Sequence, residues 1–335
     1  MSLTKTTGFL PVLSALLGNI LVTIIKLIAA FLSGSSTMFS ESIHSFADTF
    51  NQVLLMIGIN RSTKKADEEF IYGYGHERFF WAIISACGIF FIGAGVTIYR
   101  GILFLMEPKE LEIGWITFFV LAVSFVIEAT TFYIALREIR SKYPTLSWSE
   151  RLRVGDPSTQ AVLFEDGLAT LGVIIATASL ILTNITGNQT WDAVGSIIIG
   201  VLLGIMAVIL IIKNRGYLIG MSMPEEMQDV IIDMLNAEPA IEKVLDFKST
   251  TMDVGVYRIK CEIEFNGYVL LKEIYKTNSL RDQYDEVKDD YEEFKKFCVD
   301  YADRIPRLVG KKIDDIETKL KKEYPGIKYI DIEIN

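Results

Sequence analysis

Six apolar runs constrain this chain more than any other feature, because each approaches or exceeds the roughly 20 helical residues that cross a bilayer. They are Phe9–Leu32, Ser36–Gly58, Phe79–Leu105, Ile113–Leu136, Thr159–Thr183 and Ala193–Ile212. In lipid every backbone polar group needs an internal partner, so such runs fold as helices. The connections between them differ in charge. Arg61, Lys64, Lys65 and Arg78 lie between runs two and three, and Arg137, Arg140, Lys142, Arg151 and Arg153 between four and five. Lys213 and Arg215 follow run six, while the alternate connections hold almost no basic residue, Lys109 being the exception. Lysine and arginine stay on the cytoplasmic side of a membrane, which predicts cytoplasmic N- and C-termini. Arg100, near the outer end of run three, has a stem long enough to snorkel to the interface.

Charge density changes after Lys213. Up to that residue the chain carries 16 acidic and 14 basic residues; the remaining 122 positions carry 26 and 19. The expected architecture is therefore a polytopic α-helical membrane domain of six transmembrane helices over 1–213. A cytoplasmic C-terminal α/β domain, ferredoxin-like in plan, follows over 214–335. The formal charge of −9 argues against nucleic acid and suits cationic partners. Three cysteines, Cys87, Cys261 and Cys298, form no CxxC pair, so neither a disulfide framework nor a thiolate metal site is expected. Met1–Gly8 carries one lysine and leads into a full-length apolar run, so neither a cleavable signal nor a transit peptide is expected.

Run two departs from the rest. Its sequence STMFSESIHSFADTFNQVLLMIG places Glu41, His44, Asp48 and Asn51 at three- and four-residue steps. A helix gathers them into one stripe. Ionisable groups at membrane depth are costly and face a cavity or a neighbouring helix. His44 and Asp48, one turn apart, offer an imidazole and a carboxylate side by side, half of a tetrahedral zinc-type site. One buried polar residue reads equally as helix–helix glue, but a stripe of four holding one of only two histidines points to an ion site.

The other runs carry isolated polar groups. Lys26 in run one either snorkels or pairs with a carboxylate of a neighbouring helix. Glu128 is the single charge within run four, with Ser124 and Thr131 about one turn away. Glu165 and Asp166 adjoin in run five. Neighbouring side chains on a helix point about 100° apart, so one faces the ion path while the other pairs elsewhere, with Lys26 a candidate partner. In run six Asp192 marks the outer end, and Gly195, Gly200 and Gly204 suit close helix packing. The connection Tyr72-Gly73-Tyr74-Gly75-His76-Glu77-Arg78 reads as a tight turn, without the GK[ST] of a phosphate loop and with His76 solvated.

The tail alternates helix and strand signals. Met223-Pro224-Glu225-Glu226 opens an amphipathic helix running to Ala237. Val244–Thr251 and Val256–Phe265 alternate as paired strands. A charged helical insertion occupies about 268–304, Ile305–Tyr324 forms a further helix, and Ile327–Ile334 a last strand, giving an α-β-β-α-β order.

Six spans with this stripe and a small α/β tail resemble the cation diffusion facilitator transporters. The motifs that carry the resemblance are LSGSSTMFSESIHSFADTFNQ (32–52), YGYGHERFFW (72–81) and DPSTQAVLFEDGLATLGVIIA (156–176), with the tail and its insertion. The NQ after HSFADT, the ED pair and the long insertion look like the branch that includes the animal mitochondrial zinc transporter. The resemblance implies a homodimeric, proton-coupled antiporter in the bilayer, with a divalent cation, Zn²⁺ foremost, as transported substrate and no prosthetic group. It implies an integral membrane protein, expected in a prokaryotic plasma membrane, and a secondary transporter rather than an enzyme. The family's transport site takes an H/DxxxD pair from span two and an HxxxD pair from span five. His44 and Asp48 match the first and Asp166 the end of the second, but Val162 stands where the second histidine belongs. Tyr74 replaces the loop histidine that binds a second metal in some members, and the tail has no histidine.

Three ligands leave a tetrahedral site one short. A bidentate carboxylate, a water, Asn51, Glu165 or Glu128 remain as sources of the fourth, and Glu41 lies along the same path. Few nitrogens leave Mn²⁺, Fe²⁺ and Co²⁺ open beside Zn²⁺. A passive channel needs a ring of carbonyls or carboxylates, and a membrane metalloprotease an HExxH, neither of which is evident.

Overall fold

The computed structural model describes residues 9–108, 111, 113–142, 157–275 and 280–335. The chain divides into two compact units, one of residues 1–64 and 77–215, the other of residues 65–76 and 216–335.

The first unit consists of long helices. They are α1 Phe9–Ser33, α2 Ser36–Ser62, α3 Glu77–Met106, α4 Trp115–Lys142, α5 Pro157–Thr186 and α6 Thr190–Ile219. Four of them, α3 to α6, are long and apolar enough to cross a membrane. The polar stripe keeps α2 from reaching that standard, and the apolar part of α1 among the described residues is the shorter stretch Asn19–Ser33. The burial pattern is inverted relative to a water-soluble bundle. Phe31, Phe91 and Ile185 are 79%, 71% and 76% exposed, whereas Lys26, Glu41 and Asp192 are 1% exposed or less. Apolar side chains outside and charged ones inside is the arrangement a hydrocarbon solvent selects.

Small residues let these helices approach. A Cβ added at Gly101 of α3 would lie 2.7 Å from Ile197 of α6, and one at Gly200 of α6 would lie 2.6 Å from Ile98 of α3. A Cβ at Gly195 would collide with the Ser179 hydroxyl of α5. The glycines of α6 thus serve packing. Within α3 the ladder opens into a π-helical stretch at Ile89–Ala94, just before Gly95. The core of the unit joins α1 to α6 through residues such as Met38, Leu121, Val173, Leu180 and Ile199.

The second unit starts with α7 Glu225–Asn236, followed by β1 Ile241–Asp253, β2 Val256–Phe265, α8 Gly267–Ile274, α9 Leu280–Val287, α10 Tyr291–Glu323 and β3 Ile327–Ile334. The sheet order is β1-β2-β3, with β1 and β2 antiparallel and β2 and β3 parallel. Strand alternation buries Ile259, Cys261 and Ile263 of the central strand against Ile231 and Leu235 of α7 and Ile316 and Leu320 of α10. At the β1–β2 turn Gly255 has φ +70°, a left-handed conformation that costs a residue without a Cβ little.

Two expectations for this region are corrected. The helix anticipated from Ile305 begins fourteen residues earlier, at Tyr291, and α10 runs through Pro306 for 33 residues. Proline removes one N–H from the ladder, and this stretch is largely solvent-exposed, where a missing helical bond costs less than in a core. The ion pairs Arg304–Asp300 and Arg307–Asp303 bridge successive turns beside it. The His76 side chain is not simply solvated. Its Nε2 lies 3.1 Å from the carbonyl oxygen of Thr251 in β1. Tyr72 stacks edge-on against Tyr329 of β3 at 5.1 Å, and the Arg258 guanidinium lies 4.5 Å from the Tyr72 ring centre. Gly75 meets the Met252 carbonyl so closely that a Cβ there would collide with it. The Tyr–Gly alternation of this connection is a docking strip for the sheet.

Candidate metal pathway

Helix α2 is positioned from its first turn. Ser35 caps it by accepting from the Met38 amide at 3.0 Å. Asp192, at the start of α6, turns its carboxylate onto the same helix terminus. It accepts from Ser35 Oγ at 2.6 Å, from the Ser36 amide at 2.6 Å and from the Thr37 amide at 3.2 Å. An anion at a helix N-terminus meets unpaired N–H groups and the positive end of the dipole. Asp192 is fully buried, so its role is to lock α2 to α6 rather than to mark an outer surface. Ser40 adds a second tie, 2.6 Å from Ser196 of α6.

With α2 fixed, its polar stripe faces inward, and it is organised in three tiers. In the tier nearest the helix start, Lys26 of α1 donates to Glu41 Oε2 at 3.1 Å and to Glu128 Oε1 of α4 at 2.7 Å. Both Lys26 and Glu41 are buried, and Glu128 is 14% exposed. One turn on, His44 Nε2 lies 3.2 Å from Asp48 Oδ2. His44 is buried and the Asp48 side chain is a third exposed, so the pair opens on one side. In the last tier Asn51 donates from Nδ2 to Glu165 Oε1 of α5 at 3.2 Å and accepts from Ser85 Oγ of α3 at 2.8 Å.

The residues expected at the site are therefore placed as follows. His44 and Asp48 are in contact. Asp166 follows Glu165 on α5, and its backbone carbonyl accepts from Thr170 Oγ1 at 2.8 Å. Among the described residues, no three His, Cys, Asp or Glu side chains converge closely enough to hold an ion. The residues expected to complete the ligand set have protein partners instead: Asn51 with Glu165 and Ser85, and Glu128 with Lys26. The expected pairing of Lys26 with Glu165 or Asp166 is overturned, because Glu41 and Glu128 hold its ammonium. The side chain at Val162 lies outside the described residues.

Two functional contacts escaped the sequence reading, the Asp192 cap and the Ser85 bond to Asn51. The first had a signal. The serine-rich start of α2 presents several donors, and Asp192 is the one acid at the start of the last apolar run.

Comparison with known proteins identifies the family of the helical unit. Residues 12–219 match the cation efflux transmembrane domain. The chain is 34% identical over 314 residues to the mouse (Mus musculus) protein named proton-coupled zinc antiporter SLC30A9, mitochondrial, covering 92% of this chain and 55% of that protein. The human (Homo sapiens) protein of the same name gives the same identity and coverage. Metal tolerance protein C4 of Arabidopsis thaliana is 33% identical over 334 residues, covering 96% of this chain and 72% of that one. The chain thus spans about half the length of the animal relatives it matches. The animal relatives are antiporters by name, and the matched domain accounts for most of the helical unit. The chain belongs to the cation efflux family of membrane transporters.

Proposed function

We propose that the chain exports a divalent metal ion, Zn²⁺ foremost, in exchange for protons, with His44, Asp48 and Asp166 as the transport ligands. The observation that carries this reading is the His44–Asp48 pair, 3.2 Å apart on the inward face of α2. An imidazole and two carboxylates suit Zn²⁺, and both metal and protons compete for the same lone pairs. An ion drawing Asp166 toward His44 and Asp48 would complete three ligands, leaving the fourth to water or to Glu165 released from Asn51. Proton return on the emptied ligands then gives antiport. The names of the animal relatives, zinc antiporters coupled to protons, support the same cargo and coupling.

The reading includes six spans, with α1 and α2 crossing beside α3 to α6, and both termini on the cytoplasmic side. It places the tail over 214–335 as a ferredoxin-like domain at a homodimer contact, in a prokaryotic plasma membrane. The basic residues of alternate connections support the orientation, while the names of the animal relatives assign those proteins to mitochondria. Mn²⁺, Fe²⁺ and Co²⁺ are alternative cargoes, since a site with one imidazole among carboxylates discriminates weakly.

Proteoliposomes of the full chain test this. Zn²⁺ flux should rise when a proton gradient opposes it, and both flux and its pH response should vanish in Asp166→Ala. Restoring the second histidine by Val162→His should raise the preference for Zn²⁺ over Mn²⁺. Normal transport by Asp166→Ala would make that residue structural and overturn the ligand assignment.

A further inference from the structure

We propose that Glu41 and Glu128 form a second, all-carboxylate cation position, and that Lys26 is its permanent occupant, which keeps a transported metal from lodging there. The Lys26 ammonium is fully buried and bridges the two carboxylates at 3.1 and 2.7 Å. Each carboxylate spends one oxygen on it. The others, Glu41 Oε1 and Glu128 Oε2, are buried with no hydrogen-bond partner among the described residues. Glu41 Oε1 is turned toward the bare backbone of α5 at Gly172, where an added Cβ would lie only 2.6 Å away.

Two buried carboxylates are costly unless a cation is held tightly between them, and the Lys26 ammonium is that cation. An ammonium is a compact point charge with three donors, the side chain most like a bound metal cation. Oxygen donors without nitrogen or sulfur suit hard ions such as Mn²⁺, Mg²⁺ and Ca²⁺ better than Zn²⁺. Glu41 lies three residues from His44 on the same face, about 4.5 Å along the axis. An ion leaving His44 and Asp48 toward the start of α2 therefore passes this pair. A lysine fixed there by its own backbone fills the charge trap without stopping the ion.

The role in transport rests on the metal path proposed above, but the occupancy of the position does not, and the two are tested separately. Full-length wild type, Lys26→Met and Lys26→Arg are purified in nanodiscs, saturated with Zn²⁺ and then titrated with Mn²⁺, with bound manganese counted by electron paramagnetic resonance. Lys26→Met should take up one Mn²⁺ per protomer more than wild type, Lys26→Arg no more than wild type, and Lys26→Met/Glu128→Gln should lose the extra ion. Equal uptake by wild type and Lys26→Met overturns the proposal. Should Lys26→Met aggregate in chelator, Mn²⁺ in the purification buffer should restore a monodisperse protein, and a variant that aggregates equally with and without Mn²⁺ overturns it too. If wild type binds no Zn²⁺, the transport-site reading falls while the manganese difference still decides the role of Lys26.

Discussion

Lys26 in the helical unit and Lys321 in the tail each hold a glutamate at nearly the same distance, 3.1 Å to Glu41 and 3.0 Å to Glu317. The first pair is 0% and 1% exposed, the second 46% and 25%. Coulomb attraction at one distance grows several-fold as the surrounding medium becomes less polar, and so does the cost of leaving a charge alone. The contrast extends to both units. Among the described residues the helical unit buries its few charges in linked sets, Lys26 with two carboxylates and Asp192 on a helix terminus. The tail carries more charge in fewer residues, with exposed pairs one turn apart along α10, and takes its order from the apolar residues between sheet and helices. Charge is architecture in one unit and solvation in the other.

The strongest way to break this comparison is to remove one partner of the buried set. Lys26→Met leaves the Glu41 and Glu128 carboxylates buried with no cation between them. Uncoupling a buried pair in this way costs about 3–5 kcal/mol. The full chain should lose that much stability, read as a fall in the melting temperature of protein purified in detergent. A loss below about 1 kcal/mol would place the set in a wetter environment than its burial implies.

A smaller effect is expected at Asp192. Replacement by Ala removes the acceptor for Ser35, Ser36 and Thr37, leaving buried donors unpaired at the start of α2. Loss of a cap costs about 1 kcal/mol and an orphaned buried donor about 1–3 kcal/mol. Asp192→Asn keeps an acceptor oxygen without the charge, so it should recover part of the loss. Hydrogen exchange confined to the first turns of α2 is the matching readout, and unchanged protection there would refute the capping role.

These two sites also show what a sequence can and cannot convey. The helices followed from apolar length, and β2 and β3 from alternation, because both patterns are local. β1 extends beyond the alternating stretch at both ends, starting at Ile241, and register shifts at three places blur its period. The stripe on α2 was visible because helical spacing alone gathers it. The partners of Lys26 were not, since Glu128 lies 102 residues away and nothing local distinguishes it from Glu165 or Asp166. Likewise the docking of 65–76 on the sheet depends on Tyr329 and Arg258, far along the chain. The helix boundary expected at Ile305 is absent, and α10 passes through Pro306 in a stretch that is largely exposed.

The smallest effect sharpens the comparison from the tail side. Lys321 donates to Glu317 four residues earlier on α10, with acid preceding base in the orientation that favours the helix dipole. Both side chains keep contact with water, so the pair gains little beyond what each gains from solvent and loses rotamer freedom by forming. A double-mutant cycle with Lys321→Ala and Glu317→Ala should give a coupling of about 0.3–0.5 kcal/mol, and added salt should reduce it. The same cycle on Lys26 and Glu41 should give a coupling several times larger and nearly insensitive to salt, because ions do not reach a buried pair. Equal couplings, or equal salt responses, would mean that burial does not separate the two pairs, and the division of labour between the helical unit and the tail would fall with it.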